Sequence, residues 1–192
     1  MKNLDIYEYL KQKDMTPIIK NSLPPTPQRN DGVSLSIDTL TLKKYITGDI
    51  TNLIIPYAEN YAVYAFSGIT QLKRVKIPDS FSDLYFLMVN NENLEVVDIG
   101  KGVQHVGHNI FSYCYNLKAV IFRSVTPPNF EGLTYGADAF SSTSFDSSND
   151  GFIYVPDQSV QSYKDVLGTA GAGYDDRVKL LSELPDEYNI KW

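Results

Sequence analysis

The sequence contains few of the residues that build cross-links and metal centres. Its 192 residues include one cysteine, two histidines and one tryptophan. A single thiol excludes an internal disulfide framework, and it excludes zinc and iron–sulfur sites that need several thiolates. We therefore expect neither a bound metal nor a cofactor.

Positive charge and long apolar runs are also scarce. Lysine and arginine number 17 against 23 aspartates and glutamates, which gives a formal net charge of −6. Without a compact basic cluster, such a surface repels nucleic acids and anionic membranes, so no nucleic-acid partner is expected. No apolar run approaches the roughly 18 residues of a membrane-spanning helix, so no transmembrane segment is expected. Charged residues interrupt residues 1–15, so no secretory signal is predicted there.

The apolar content is that of a globular protein. Hydrophobic residues make up 43% of the chain and aromatic residues 12%, which is enough for a packed core. Leu4, Tyr7 and Leu10 share one helical stripe, and several prolines follow them. Residues 1–32 are therefore predicted to form a helix and a proline-rich linker. Residues 33–49 alternate apolar and polar residues and are predicted to be a β-structured N-terminal cap.

The most informative pattern is an apolar repeat with a period of 22 to 23 residues. Four apolar positions at fixed spacing occur three times between residues 66 and 122. Such a period indicates a solenoid, because each repeat buries its apolar side only by stacking on its neighbours. Residues 33–181 are predicted to be one domain with its repeats in 50–156. The predicted core comprises Phe66, Leu72, Val75, Ile77, Met88, Leu94, Val97, Ile99, Phe111, Cys114, Leu117, Val120 and Phe122.

The alternate positions on the repeated strands are predicted to face outward. Lys76 lies one period before Asp98, which predicts an ion pair across neighbouring strands. The surface has mixed charge and is partly apolar, which suits a protein ligand better than a polyanion. The candidate ligand contacts on this surface are Arg74, Lys76, Val96, Asp98 and Ile121.

The chain is rich in tyrosine, with 14 residues, few of which belong to the apolar columns. Tyr113 and Tyr115 lie in the turn of the third copy and are further candidate ligand contacts. Exposed tyrosine offers a large contact area at a low entropic cost. The alternative is that such rings fill irregular gaps between repeats.

The period is interrupted after the third copy. Phe111 and Phe140 occupy matching positions but are 29 residues apart. This spacing predicts an insertion over residues 124–136 and a loop over residues 141–151, on a face used for binding. A strand is predicted at residues 152–156.

The C-terminal part is predicted to cover the end of the repeats. Within residues 157–181, Asp157 is placed to cap a helix that carries Tyr163 on its apolar stripe, and a last strand follows around Val178. Residues 182–192 are predicted to be a loosely attached tail.

Residues that carry chemistry are sparse. His105, His108 and Cys114 are of types that bind zinc, but a three-residue spacing on a strand turns the two imidazoles to opposite sides. Cys114 is predicted to be a buried thiol of the turn rather than a nucleophile. No grouping of serine, histidine and carboxylate supports catalysis, so the protein is predicted not to be an enzyme.

The repeats resemble the BspA-type bacterial leucine-rich repeats. Those read approximately as Ala-Phe, a turn with a small residue and Cys, then Leu-x2-Val-x-Ile-Pro and a Val-x2-Ile-Gly return. Ala65-Phe66 with residues 72–78 is a close copy, and residues 110–117 give another. Residues 103–107 match the return and predict a second, shorter strand. The second copy departs from the pattern, with Leu87-Met88 in place of Ala-Phe.

The resemblance covers about residues 50–181. It implies a mostly β leucine-rich-repeat solenoid with short parallel strands and a C-terminal capping helix. It also implies a non-enzymatic module that binds a protein, or alternatively a glycan, in adhesion at the cell surface. Such repeats also occur in phage-derived and intracellular, cytoplasmic settings. The alternative is an assembly component of a phage particle or surface complex, docked through residues 1–49.

Overall fold

The computed structural model describes residues 3–5, 52–54, 66–85, 87–131, 139–147, 150–168 and 173–189. Within these residues the main element is a seven-stranded sheet in which every neighbouring pair of strands is parallel. In spatial order the strands are β1 (Asn3–Asp5), β2 (Asn52–Ile54), β3 (Arg74–Ile77), β5 (Val96–Ile99), β7 (Ala119–Phe122), β9 (Phe152–Val155) and β10 (Val178–Leu180).

A second, smaller parallel sheet is built from the returning segments. β4 (Asp83–Leu84), β6 (His105–Val106) and β8 (Asn129–Phe130) lie side by side in that order. The shorter strand predicted within residues 103–107 is confirmed as β6. The chain thus alternates between the two sheets from β3 to β8.

The register of the large sheet aligns the apolar columns. Val75 lies opposite Val97, Val97 opposite Val120, and Val120 opposite Ile153. Because side chains of a strand alternate between its two faces, these residues all point into one interior. The short parallel strands predicted at a period of 22 to 23 residues are confirmed.

One hydrophobic core runs from Leu53 to Val178. The thirteen side chains predicted to form the core are each at most 1% exposed. Phe111 stacks on Phe140 with ring centroids 5.9 Å apart, so the aromatic column continues into the irregular fourth repeat. Burial of this size and continuity is what holds stacked repeats together.

The N-terminal helix predicted within residues 1–15 is not confirmed. Asn3–Asp5 form β1, whose backbone pairs with β2 instead of with its own next turn. The backbone groups of these three residues are satisfied by the edge of the sheet. Residues 6–51 lie outside the described residues, and so do the linker and the cap predicted within them.

The fourth repeat contains two short elements where an insertion and a loop are predicted. β8 lies within residues 124–136, and α1 (Ser144–Ser147) lies within residues 141–151. The Ser144 hydroxyl donates a hydrogen bond to the carbonyl of Leu117 and so ties this region to the third repeat. The strand predicted next is confirmed as β9.

The predicted C-terminal helix is confirmed as α2 (Val160–Gly168), which closes the core near β7 and β9. Tyr163 and Leu167 on this helix are fully buried. The Tyr163 phenol donates a hydrogen bond of 3.0 Å to the carbonyl of Ser124. The helix is therefore attached to the third repeat by both apolar packing and a polar bond.

The predicted role of Asp157 is wrong. A 3-10 helix (Asp157–Ser159) precedes α2, so Asp157 lies inside a helical turn and makes no side-chain cap. Its carboxylate instead accepts a hydrogen bond of 3.1 Å from the backbone N–H of Ser182. A hydrogen bond from the Ser182 side chain and, after it, the bond from the backbone N–H of Ser182 lower the pKa of Asp157.

The residues after β10 are attached to the large sheet. A 3-10 helix (Leu181–Glu183) and a turn lead through residues 181–189, which we call the cover segment. Leu181, Leu184 and Tyr188 pack on the face of the sheet that points away from the core. In its described part, the tail predicted at residues 182–192 therefore contacts the sheet through two apolar side chains, Leu184 and Tyr188.

Candidate functional site

Each described repeat turns through a residue in the left-handed backbone conformation. Gly68, Asn90, Tyr113 and Ser142 have φ angles of 67°, 61°, 64° and 58°. Each lies two positions after the buried residue of one repeat column, which is Phe66, Met88, Phe111 or Phe140. Glycine adopts this conformation without steric cost and asparagine tolerates it. The fold therefore requires this backbone geometry whichever residue occupies the turn.

Tyr113 is the bulkiest residue in this column of turns. A large side chain with positive φ is a genuine outlier, and the left-handed conformation costs an L-residue about 1–2 kcal/mol. Its ring is 45% exposed and meets the ring of Tyr115, which is 50% exposed, edge to face at 6.1 Å. The molecule thus presents two tyrosine rings together at a strained turn.

The turn that carries the two rings is fastened to the preceding repeat. The Asn116 side-chain amide donates a hydrogen bond of 2.7 Å to the carbonyl of Glu92. One repeat earlier, Asn93 makes the matching bond of 2.7 Å to the carbonyl of Thr70. These amides form a ladder along the turn edge and fix the base of the exposed pair.

The inner side of the turns in the second and third repeats carries hydrogen-bonded polar side chains. Asn91 is completely buried; its amide donates to the carbonyls of Phe66 and Met88 at 2.8 and 3.0 Å, and its oxygen accepts from the N–H of Ile69 at 2.7 Å. Cys114 is the matching residue of the third repeat, and its thiol donates to the Met88 carbonyl at 3.2 Å. Burial raises the pKa of the Cys114 thiol to about 12, so it holds almost no thiolate at neutral pH.

The predicted ligand surface on the strands is only partly exposed. Arg74 and Lys76 on β3 are half-buried, whereas Val96, Asp98 and Ile121 are buried. The prediction that the latter three face solvent is therefore wrong. Val96 and Ile121 share a buried cluster with Ala119 and Tyr154, and the side chains of Phe152, Leu181, Leu184 and Tyr188 pack against it.

Asp98 has a structural partner that sequence reasoning missed. It lies opposite Lys76 in the register, but Arg123 binds its carboxylate in a bidentate pair, with both N–O distances 2.9 Å. Chiefly through this hydrogen bond, Asp98 raises the pKa of the Arg123 guanidinium. The carboxylate serves the packing of this face and is not available as a ligand contact.

The two histidines are not part of a metal site in the described part of the chain. His105 lies in β6 and His108 in the turn that follows it, and both are partly buried. Within the described ranges, no group of three or more histidine, cysteine, aspartate or glutamate residues could hold a metal ion. The chemistry left at the candidate site is that of two tyrosine rings and neighbouring amides.

No helix in the described part of the chain is both long enough and apolar enough to cross a membrane. A family model described as BspA type leucine rich repeat region matches residues 43–152 in six copies. No curated protein matches the chain. Repeats of the matching type generally mediate protein binding and are typically not catalytic.

Proposed function

Because the chain belongs to the BspA-type leucine-rich repeat family, we propose that it is a non-enzymatic protein-binding module. Its ligand contacts the turn edge of the third repeat, centred on Tyr113 and Tyr115. The observation that carries this proposal is the exposed ring pair at a backbone position that favours glycine. A residue with a strained backbone is retained where the rest of the structure or its function compensates for the strain. A ligand contact of the side chain is such a function.

The surroundings of the pair favour a protein ligand. Tyrosine is enriched where a few residues carry most of the energy of a protein interface. The neighbouring side chains Asn90, Glu92 and Asn116 are exposed and polar, which supplies the polar rim that surrounds such an anchor. The edge carries no excess of positive charge, in keeping with a protein rather than a polyanionic ligand.

The setting we propose is adhesion. BspA-type repeats are often surface-associated, and a protein on another cell or in the surrounding medium is the ligand that this setting provides. Fold alone does not identify the ligand, so the proposal rests on the tyrosine pair and is tested there.

The test is a binding screen of the full chain against an array of secreted and cell-surface proteins, with a glycan array in parallel. For a protein that binds, the Tyr113→Ser/Tyr115→Ser variant is expected to lose at least ten-fold in affinity. Tyr85→Ser is the matched control, because Tyr85 is also exposed but lies on the returning segment, bonded to Glu131 at 2.9 Å. The control is expected to bind within about two-fold of the unmodified chain.

A second variant separates binding from structure. Tyr113→Gly removes the ring and relieves the backbone, so it is expected to raise the free energy of unfolding by about 0.5–1 kcal/mol after the entropic cost of glycine. Affinity should fall in the same variant. Protein binding that survives both variants, or binding of glycans alone, would overturn the proposal.

A further inference from the structure

The cover segment lies on a face of the sheet that would otherwise be apolar and exposed. Beneath it are Val96, Ala119 and Ile121, all with no exposure, and Tyr154 with 3%. Leu181, Leu184 and Tyr188 of the segment pack against this cluster of side chains from β5, β7 and β9. This face is separate from the turn edge that carries Tyr113 and Tyr115, so an inference about it does not depend on the proposed function.

Few bonds hold the cover segment in place. Its backbone N–H groups at Leu184, Tyr188 and Asn189 bond only to carbonyls within the segment itself. The bond from Ser182 to the Asp157 carboxylate anchors its beginning. The Glu183 carboxylate accepts a hydrogen bond of 3.2 Å from the backbone N–H of Leu180 in β10. From Leu184 onward the segment is attached by the apolar packing of Leu184 and Tyr188, and both side chains are only half-buried. Segments with such sparse anchoring open locally without global unfolding.

The charge of the cover segment complements the adjacent strand. Residues 181–189 contain three carboxylates, at Glu183, Asp186 and Glu187, and no basic residue. Arg74 and Lys76 lie on the outward positions of β3, next to the covered area. Burial raises the pKa of the Tyr188 phenol, as do the carboxylates of Glu187 and Glu95, whereas the nearby Arg74 guanidinium opposes them. The far end of the segment therefore lies within reach of the basic side of the face.

We propose that the cover segment is an internal ligand that masks a peptide-binding face. The face accepts an acidic peptide of a partner protein that presents two leucines and a tyrosine at the spacing of Leu181, Leu184 and Tyr188. The peptide binds when the cover segment lifts and takes its place on Val96, Ala119, Ile121 and Tyr154. A tethered segment competes at an effective concentration in the millimolar range, so the masked face binds a free peptide weakly.

The experiment measures the binding of a fluorescent peptide with the sequence of residues 181–189 to the full chain, by fluorescence anisotropy. Unmodified protein is compared with Leu184→Ser/Tyr188→Ser, in which the tethered segment loses the apolar contacts of Leu184 and Tyr188. The variant is expected to bind the peptide at least ten-fold more tightly. The same peptide carrying both serine substitutions is expected not to bind, and Arg74→Glu in the variant protein is expected to weaken binding several-fold.

Tyr115→Ser is the control that separates this proposal from the function assigned to the turn edge. It is expected to leave peptide binding unchanged, so failure of the turn-edge ligand and failure of the masked face are distinguishable. A variant whose circular dichroism matches that of the unmodified chain but which does not bind the peptide would overturn the proposal. Self-association of the variant without peptide would also overturn it, because the face would then serve a second copy of the chain.

Hydrogen exchange on unmodified protein provides a measurement that requires no variant. The amides of Ser182 and Leu184 are expected to exchange through local opening, with protection far below that of the amides of β5 and β7. Addition of excess peptide is expected to raise exchange at Ser182 further. Equal protection of the cover segment and the central strands would contradict a removable cover.

Discussion

Matching residues in the turns bind backbone carbonyls although their chemistry differs. Asn91, Cys114 and Thr143 lie three residues after Met88, Phe111 and Phe140, respectively. Asn91 and Cys114 both donate to the carbonyl of Met88, and Thr143 donates to the carbonyl of Phe140 at 2.6 Å. A buried carbonyl without a partner is costly, so what this position requires is a short donor. The residue type varies, and so does the carbonyl it serves: Cys114 donates to the preceding repeat, Thr143 donates within its own repeat, and Asn91 does both.

Asn91 should be the most sensitive of these donors, because it satisfies three buried backbone groups. Asn91→Ala is expected to lower the free energy of unfolding by about 2–4 kcal/mol, since those groups lose their partner in a site without solvent. Chemical denaturation measures the change. Asn93→Ala is the control, because its single bond to Thr70 lies at the exposed edge. A loss below about 1 kcal/mol is expected there, and equal losses in the two variants would contradict the assignment.

The Cys114 thiol should be unreactive toward thiol reagents in the folded protein. With a pKa raised to about 12 by burial, its thiol is almost entirely protonated at pH 8 and shielded from reagents. Labelling with a disulfide reagent is expected to proceed only as fast as the molecule opens, and to become rapid in denaturant. Asn91→Ala should accelerate labelling in proportion to its loss of stability. Fast native-state labelling at pH 8 would show that the turn is open.

At the scale of elements, the strands differ in how readily the sequence reveals them. β3 reads Arg-Val-Lys-Ile and alternates in burial, as a strand with one covered face does. β7 reads Ala-Val-Ile-Phe and is buried at all four positions. A run without polar residues is typical of a strand covered on both faces, and this signal was available in the sequence. The repeat pattern predicted the stacking of the strands. The burial of the outward face of β7 depends on a covering segment that lies outside the repeat pattern.

The covering element could not be predicted because it does not repeat. The cover segment has no counterpart in the other copies, and its apolar residues at spacings of three and four are compatible with a helix, a tail or a cover. The ion pair between Asp98 and Arg123 was missed for a related reason. Arg123 follows the end of β7, outside the alternating pattern that made Lys76 the obvious partner. Tyr113 and Tyr115 were candidate contacts because the period places them in a turn, but the contact between their rings was not predicted.

The ion pair between Asp98 and Arg123 should contribute more to stability than the half-buried Lys76 on β3. Asp98→Ala removes a buried carboxylate and leaves the Arg123 guanidinium unpaired while partly buried, which is expected to cost about 2–3 kcal/mol of unfolding free energy. Lys76→Ala, one strand away and half-exposed, is expected to cost less than about 1 kcal/mol. Thermal and chemical unfolding of both variants measure the difference. Similar small losses would mean that the pair contributes only as a surface contact.

At the scale of the whole molecule, stability depends on contacts between neighbouring repeats. The apolar core is continuous from Leu53 to Val178, and its aromatic rings are linked from Phe111 through Phe140 to Tyr174. In a long repeat array, interface energies add and the ends open independently. A short array whose terminal helix is inserted into the same core should instead unfold as one unit. The C-terminal helix is the place to test that coupling.

Tyr163 is the residue through which α2 enters the core, with its ring centroid 5.6 Å from that of Phe122. Tyr163→Ala is expected to lower stability by about 3–5 kcal/mol, because a fully buried aromatic side chain is replaced by a cavity. Tyr163→Phe loses only the hydrogen bond to Ser124 and is expected to cost about 1 kcal/mol. Hydrogen exchange measured separately at β3 and β9 in Tyr163→Ala tests whether the C-terminal helix and the repeats unfold together. Because the core is shared, protection should fall by the same free energy at both strands, whereas a loss confined to β9 would show that the repeats open one by one.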